Sequence, residues 1–192
     1  MTIKVVFIAI IFSINSYALE LSLKLRSGDI LLQPLHCWAC NLIEAETESE
    51  FSHIGVVTKV ENGEVFVGEA FTKVREVTLD EFNSKTQKGL KLKVLRPYFI
   101  SDDLSKNFDS KFKGLPYDSA YLWDDNEIYC SELLYKLFES LNMVTPKALP
   151  MTFTHNREYW FKYFKGNIPD GIIGISPGDF DDEKLFKFIG HI

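Results

Sequence analysis

The strongest structural signal in this sequence is a pair of β-rich segments joined by an Asn-Gly turn. Residues 51–60 and 64–71 are rich in β-branched and aromatic side chains, and only Glu61, Asn62 and Gly63 separate them. An Asn-Gly pair adopts the positive φ values that a tight turn between antiparallel strands requires. The sequence therefore predicts an antiparallel hairpin, and the alternating segment 90–95 predicts a further strand.

An amphipathic segment at residues 129–141 predicts a helix. Its apolar residues recur with a 3.6-residue period, which places Leu133, Leu134, Leu137 and Leu141 on one buried face. Cys130 lies on the same face, in the first turn, where unpaired backbone N–H groups and the helix dipole stabilise a thiolate. Together, hairpin and helix predict an α+β fold in which a small antiparallel sheet packs against helices, with a Cys at a helix N-terminus.

Composition indicates one folded domain and argues against a nucleic-acid partner. Of the 192 residues, 46% are apolar and 14% aromatic, enough to form a core and too many for a disordered chain. The formal net charge is −6, and no basic patch is visible. Nucleic-acid binding draws most of its affinity from clustered Lys and Arg, so we expect no such partner. Short helices are also predicted at 37–47, 102–113 and 154–165, and a loop with a short helix at 175–188.

The first eighteen residues have the pattern of a secretory signal peptide. Lys4 precedes an apolar run at 5–14, and Ser16-Tyr17-Ala18 resembles a cleavage site. An uncleaved anchor is the alternative, but a bilayer span needs about 20 apolar residues. We therefore expect a signal peptide at 1–18, one domain at 19–192 and no stable membrane anchor. The protein is expected to be exported, to the periplasm of a Gram-negative cell or to the medium.

The three cysteines fall into a close pair and a single residue. In an oxidising compartment, Cys37 and Cys40 are expected to form a structural disulfide, and two free thiols are the alternative. A zinc site needs four ligands and no second pair is present, while haem attachment needs a His where Asn41 stands. The sequence thus predicts no metal and no cofactor. Cys130 is left unpaired, which indicates either deep burial or a chemical use.

A base and an acid accompany Cys130 in the predicted fold. His53 opens the first strand of the hairpin, with Gly55 leaving room for a close neighbour. Glu69 lies on the second strand among apolar residues, a costly position for a carboxylate unless it is paired. Paired strands place such side chains within reach of each other, although the sequence does not show that the two faces match. Individually each residue has an ordinary structural explanation, but the combination is typical of a cysteine nucleophile.

Five motifs in this chain resemble those of the permuted papain-like amidases of the YiiX and YaeF type, within the NlpC-like cysteine hydrolase superfamily. The motifs are Ser27-Gly28-Asp29-Ile30, Ser52-His53-Ile54-Gly55, Glu69-Ala70, Gly114-Leu115-Pro116-Tyr117-Asp118 and Tyr129-Cys130-Ser131-Glu132-Leu133-Leu134. The similarity runs from about residue 24 to 141 and extends weakly into 175–177. It implies a circularly permuted papain-like fold, in which the His-bearing strand precedes the Cys-bearing helix.

The resemblance also implies roles for these residues. Cys130 would be the nucleophile, His53 the general base and Glu69 the residue that orients the imidazole. Tyr117 resembles the tyrosine that borders the oxyanion site, where its phenol would assist the Cys130 backbone N–H. Asp29 and Asp118 are alternatives for the orienting role, but Asp29 fits a turn or cap better, and Asp118 a wall of the cleft.

The function expected from this resemblance is that of a cysteine amidase or peptidase-type hydrolase acting through a thioester. Export favours a peptide-like or cell-wall-derived small substrate. Two other hypotheses stay open: a lipid acyl hydrolase or acyltransferase that uses the same Cys-His site, and a catalytically inactive ligand-binding module. The aromatic segment 153–164 could line an apolar channel, although core packing explains it better. The sequence predicts no particular oligomeric state.

Overall fold

In the computed structural model, which describes residues 24–192, the centre of the fold is a six-stranded antiparallel sheet. The strands assigned within these residues are β1 (Ile30–Gln33), β2 (His53–Glu61), β3 (Glu64–Ala70), β4 (Val74–Thr78), β5 (Lys93–Pro97), β6 (Leu149–Pro150), β7 (Ile173–Gly174) and β8 (Phe186–His191). The sheet has the order β4-β3-β2-β1-β5-β8, and β6 and β7 form a separate short ribbon. The predicted signal peptide lies outside the described residues.

Five α-helices are assigned in the same part of the chain. They are α1 (Cys40–Thr47), α2 (Leu79–Asn83), α3 (Leu104–Asn107), α4 (Cys130–Glu139) and α5 (Arg157–Tyr163). A π-helical turn at Phe108–Phe112 continues α3, and a 3₁₀ turn at Pro177–Phe180 precedes β8. None of the helices within residues 24–192 combines the length and the apolar character needed to cross a membrane.

The predicted hairpin is confirmed. Strands β2 and β3 pair in antiparallel register, with Val57 opposite Val67. Asn62 and Gly63 form the turn with φ values of 51° and 82°, which explains why this dipeptide stands there. The hairpin therefore brings His53, at the start of β2, alongside the end of β3, where Glu69 lies.

The predicted amphipathic helix is also confirmed, as α4. Leu133, Leu134 and Leu137 are fully buried, and α4 packs against β2 and β3. Burial of side chains of this size contributes roughly 1.5–3 kcal/mol each. This packing fixes the N-terminal end of α4, and with it Cys130, relative to the hairpin. The α+β fold with a Cys at a helix N-terminus is therefore observed as expected.

Several predicted element boundaries differ from the structure. Segment 102–113 is divided between α3 and the π-helical turn, and the predicted strand at 90–95 begins only at Lys93. Segment 175–188 was expected to hold a loop and a short helix, yet its end forms β8, which pairs with β5 at the sheet edge. Edge pairing with a distant strand overrides the weak local pattern there.

Candidate active site

Cys130 is the first residue of α4 and a free thiol whose surface is only 6% exposed. Because it opens the helix, no earlier helical carbonyl accepts its backbone N–H. Its two sequence neighbours hold the backbone of Ile175. The Ile175 N–H donates to the Tyr129 hydroxyl at 3.1 Å, and the Ser131 hydroxyl donates to the Ile175 carbonyl at 2.7 Å. The position of Cys130 is thus fixed from both sides.

His53 is buried at the start of β2, between Cys130 and Glu69. Its Nε2 donates to Oε2 of Glu69 at 2.7 Å, which leaves the other ring nitrogen, Nδ1, to interact with the neighbouring Cys130. The ring of Phe82 stacks on the imidazole, with 5.6 Å between the ring centroids, and the ring of Phe71 contacts it edge-on, with 6.0 Å between the centroids. The imidazole is thereby held in one orientation by the hydrogen bond with Glu69 and by two aromatic rings.

The electrostatic surroundings of His53 favour the imidazolium. Burial disfavours the charged ring, but the hydrogen bonds and charges of Cys130 and Glu69 outweigh it and raise the pKa of His53 to about 9. Below that pH the ring is protonated, and the proton is lost as the pH rises through about 9. A cationic imidazole beside a sulfur atom is the arrangement that stabilises a thiolate.

Glu69 is fully buried and receives two cations in addition to His53. Arg75 donates from Nε and Nη2 to Oε1 at 3.0 and 2.6 Å, and Lys85 Nζ lies 3.5 Å from the same oxygen. Burial favours the neutral acid, but the hydrogen bond and charge of His53, together with Lys85 and Arg75, lower the pKa of Glu69 to about 2. Glu69 is therefore a carboxylate at any pH well above about 2.

Arg75 and Lys85 belong to the site although the sequence does not predict a role for them there. Arg75 lies directly opposite Glu69 in the β3–β4 pairing. A strand at 74–78 places it there, but this segment is too short and too polar for the sequence to predict a strand. Lys85 lies in the turn after α2, and no pattern in the neighbouring sequence predicts its contact with Glu69.

Gly55 makes room for the ring that supports His53. A Cβ built on Gly55 would lie 2.8 Å from the Phe82 ring and 2.7 Å from a methyl group of Val67. Any larger residue would displace Phe82 from the imidazole. The expectation that Gly55 admits a close neighbour is confirmed.

A cleft of about 240 Å³ opens at Cys130. Tyr117, Tyr121 and Tyr129 line it on the side of the thiol, and the phenols of Tyr117 and Tyr121 influence each other's pKa. Burial, the neighbouring Tyr121 and Cys130 raise the pKa of Tyr117 well above its ordinary value. Tyr117 is consequently a neutral phenol, which is the form that can donate a hydrogen bond into the cleft.

The two alternative acids lie elsewhere. Asp118, expected as a wall of the cleft, is not among the lining residues, because its carboxylate is turned into its own loop. Its oxygens accept the backbone N–H groups of Ala120 at 2.7 Å and Leu122 at 2.5 Å. Asp29 is buried before β1 and binds Arg96 at 2.6 and 2.7 Å, in keeping with a turn residue. Of the three candidate acids, the structure brings only Glu69 to His53.

The aromatic segment contributes to both the core and the cleft. Phe153 and Trp160 are buried, as expected for core packing, and both also line the cleft. The indole N–H of Trp160 donates to Glu46 at 3.0 Å.

Cys37 and Cys40 form a disulfide, as predicted. The loop between them carries Trp38, whose ring contacts that of Tyr159 edge-on, with 5.7 Å between the ring centroids.

Known proteins resemble this chain in sequence and in fold. The family model described as permuted papain-like amidase enzyme, YaeF/YiiX, C92 family, matches residues 24–184. An uncharacterised protein named YiiX from Escherichia coli strain K12 is 28% identical over 122 residues, which cover 60% of this chain and 58% of that protein. The alignment thus spans somewhat more than half of that relative.

A solved structure gives the same picture of the fold. The crystal structure of YiiX from Escherichia coli O157:H7, described as a metalloprotein, matches with a TM-score of 0.78 at 22% identity, over 87% of this chain and 97% of that chain. Within residues 24–192 of this chain, no group of three or more His, Cys, Asp and Glu side chains is arranged to hold a metal ion.

The His-bearing strand β2 precedes the Cys-bearing helix α4, as in a circularly permuted papain-like core. On the evidence of the family match and the shared fold, the chain belongs to the permuted papain-like amidases of the YaeF/YiiX type, the C92 family.

Proposed function

We propose that the protein is an exported cysteine hydrolase that cleaves an amide bond in a peptide-like substrate. The observation that carries this proposal is the buried series of Cys130, His53 and Glu69 at the end of an open cleft, in which Glu69 is hydrogen-bonded to His53 and His53 interacts with Cys130. A nucleophile, a base and an oriented acid in this order are the parts that acyl transfer to sulfur requires. Membership of an amidase family supports the same reaction type.

The proposed reaction proceeds in two halves. The Cys130 sulfur attacks the substrate carbonyl carbon, the protonated His53 gives its Nδ1 proton to the leaving nitrogen, and the C–N bond breaks to release the amine. The acyl group is then held as a thioester on Cys130. In the second half, His53 takes a proton from water, the hydroxide adds to the thioester carbonyl, and the C–S bond breaks to release the acid. Glu69 keeps Nδ1 directed at the sulfur by holding Nε2.

The negative oxygen of each tetrahedral intermediate needs hydrogen-bond donors. We assign this role to the backbone N–H of Cys130, which no helical carbonyl accepts, and to the neutral phenol of Tyr117 in the cleft wall. Such donors act mainly on the transition state, because they bind the oxyanion more tightly than the substrate carbonyl.

Replacing Tyr117 with Phe is therefore expected to lower kcat by about 10²-fold and to change KM little. Steady-state kinetics on a chromogenic amide measure both values. Tyr98→Phe is the matched control, since Tyr98 is exposed outside the cleft and its variant should retain full activity. An unchanged kcat in Tyr117→Phe would remove Tyr117 from the oxyanion site.

A substrate screen tests the proposed function as a whole. Purified protein is incubated with peptidoglycan fragments, synthetic peptides and phospholipids, and the products are identified by mass spectrometry. Amide cleavage that requires Cys130 supports the proposal. Cleavage of phospholipids alone would replace it with a lipid acyl hydrolase, and binding without any product would indicate an inactive binding module.

The proposal that the protein is exported rests on the pattern of residues 1–18. N-terminal sequencing of the mature protein is expected to give a sequence that begins at Leu19.

A further inference from the structure

The charged side chains that line the cleft are acidic, and they lie among apolar and neutral polar residues. Apolar side chains from three parts of the chain form much of the surface: Ile43, Leu149, Met151, Phe153 and Trp160. The charged lining residues are Glu46 and Asp179, and within residues 24–192 the lining includes no Lys, Arg or His. The cleft thus combines an apolar surface with negative charge.

Glu46 is the more consequential of the two acids, because its side chain is only 6% exposed. Its Oε1 accepts the backbone N–H groups of Thr154 and His155, the latter at 3.0 Å, and the Thr154 hydroxyl at 3.5 Å. Its Oε2 accepts the indole N–H of Trp160 at 3.0 Å. The carboxylate therefore holds α1 to the segment that supplies Phe153 and Trp160.

The negative charge of Glu46 has little local compensation. Its hydrogen-bond partners are neutral N–H and hydroxyl groups, and among the described residues the basic side chain within 4 Å is the half-exposed His155, with Nδ1 4.0 Å away. Inside a protein, charges interact more strongly than in water. A substrate carboxylate placed beside Glu46 would find no Lys or Arg among the lining residues to pair with, and it would lose its hydration as well.

We propose, on the basis of the function proposed above, that the cleft accepts an uncharged, apolar acyl group. Glu46 excludes acyl groups that carry a carboxylate at the end far from the reacting carbonyl. Trp160, Phe153 and Met151 supply the apolar contact surface. Glu46 is thus a specificity-determining residue with two effects: it positions the aromatic wall and it sets the charge that the acyl group meets.

Three p-nitroanilides with six-carbon acyl chains test the proposal, because they differ only at the far end of the chain. Hexanoyl ends in a methyl group, adipoyl in a carboxylate and 6-aminohexanoyl in an ammonium group. The hexanoyl compound is expected to give the highest kcat/KM and the adipoyl compound a value lower by about 10-fold or more. Release of p-nitroaniline gives the rates, and intact-protein mass spectrometry detects the acyl group on Cys130.

Variants at two acids separate the charge of Glu46 from general electrostatics. Glu46→Gln removes the charge and keeps one oxygen acceptor, so the ratio of adipoyl to hexanoyl kcat/KM is expected to rise by about 10-fold. This ratio does not depend on the fraction of folded protein. Glu158→Gln removes a charge from the exposed side of α5 and should leave the ratio unchanged.

Each result decides the proposal. Adipoyl hydrolysis as fast as hexanoyl hydrolysis, a preference for 6-aminohexanoyl, or an unchanged ratio in Glu46→Gln would overturn the assignment of specificity while leaving the hydrolase in place. If none of the three compounds acylates Cys130, both the specificity and the proposed amide hydrolysis are wrong. If Glu46→Gln does not fold, the wild-type series decides by itself.

Discussion

Cys130→Ala is expected to lower kcat/KM by about 10³-fold or more and to abolish the acyl-enzyme seen by mass spectrometry. The sulfur is the atom to which the acyl group is transferred, and no other free cysteine is present in residues 24–192 to replace it. Since the side chain of Cys130 is small, the variant should keep its fold, which thermal unfolding checks.

The matched control replaces the other two cysteines. The double variant Cys37→Ser, Cys40→Ser removes the disulfide but keeps Cys130, and it is expected to retain the acyl-enzyme. Turnover that survives in Cys130→Ala at the wild-type rate would show that the reaction takes place elsewhere.

Glu69→Gln is expected to have the second largest effect, a loss of about 10²-fold in kcat together with a change in pH dependence. The amide still contacts Nε2 of His53, but it brings no negative charge, so the imidazolium is less stable and the pKa of His53 falls from about 9. The reaction needs the imidazolium to protonate the leaving nitrogen. The alkaline limb of the profile of kcat/KM against pH should therefore lie near pH 9 in the wild type and move to lower pH in the variant.

Glu81→Gln is the control for this experiment. Glu81 pairs with Arg75 at 3.1 Å and with Lys85 at 4.0 Å, so the variant changes the charge balance around Glu69 without touching His53. Its alkaline limb should stay near that of the wild type. An equal shift in both variants would mean that general electrostatics, and not the contact of Glu69 with the imidazole, sets the profile.

Local sequence patterns were sufficient to predict the parts of the site that depend on neighbouring residues. The turn at Asn62 and Gly63 predicted the hairpin that carries His53 and Glu69, and the period of leucines predicted the helix that begins at Cys130. Both patterns are strong because they depend on residues close together in the sequence. The Asn-Gly pair has the backbone conformations that the turn requires, and the leucines repeat with the period of a helix.

The parts that depend on distant contacts could not be predicted in this way. Arg75 reaches Glu69 only because β4 pairs with β3, and Glu46 reaches Trp160 across more than a hundred residues of chain. Asp118 was misplaced for the opposite reason: its carboxylate is used within its own loop, a local hydrogen-bonding preference of Asp that outweighs a role in the cleft.

The central claim is that His53 is held as an imidazolium between Cys130 and Glu69, and NMR titration of the His53 ring tests it most directly. The chemical shifts of the ring are followed from acid to alkaline pH in the wild type and in Cys130→Ala, with His53→Asn to assign the signal. We expect a midpoint at about pH 9 in the wild type and a lower one in Cys130→Ala, because the hydrogen bond and charge of the sulfur are lost. A wild-type midpoint near the ordinary value of 6.5, unchanged in Cys130→Ala, would contradict the account.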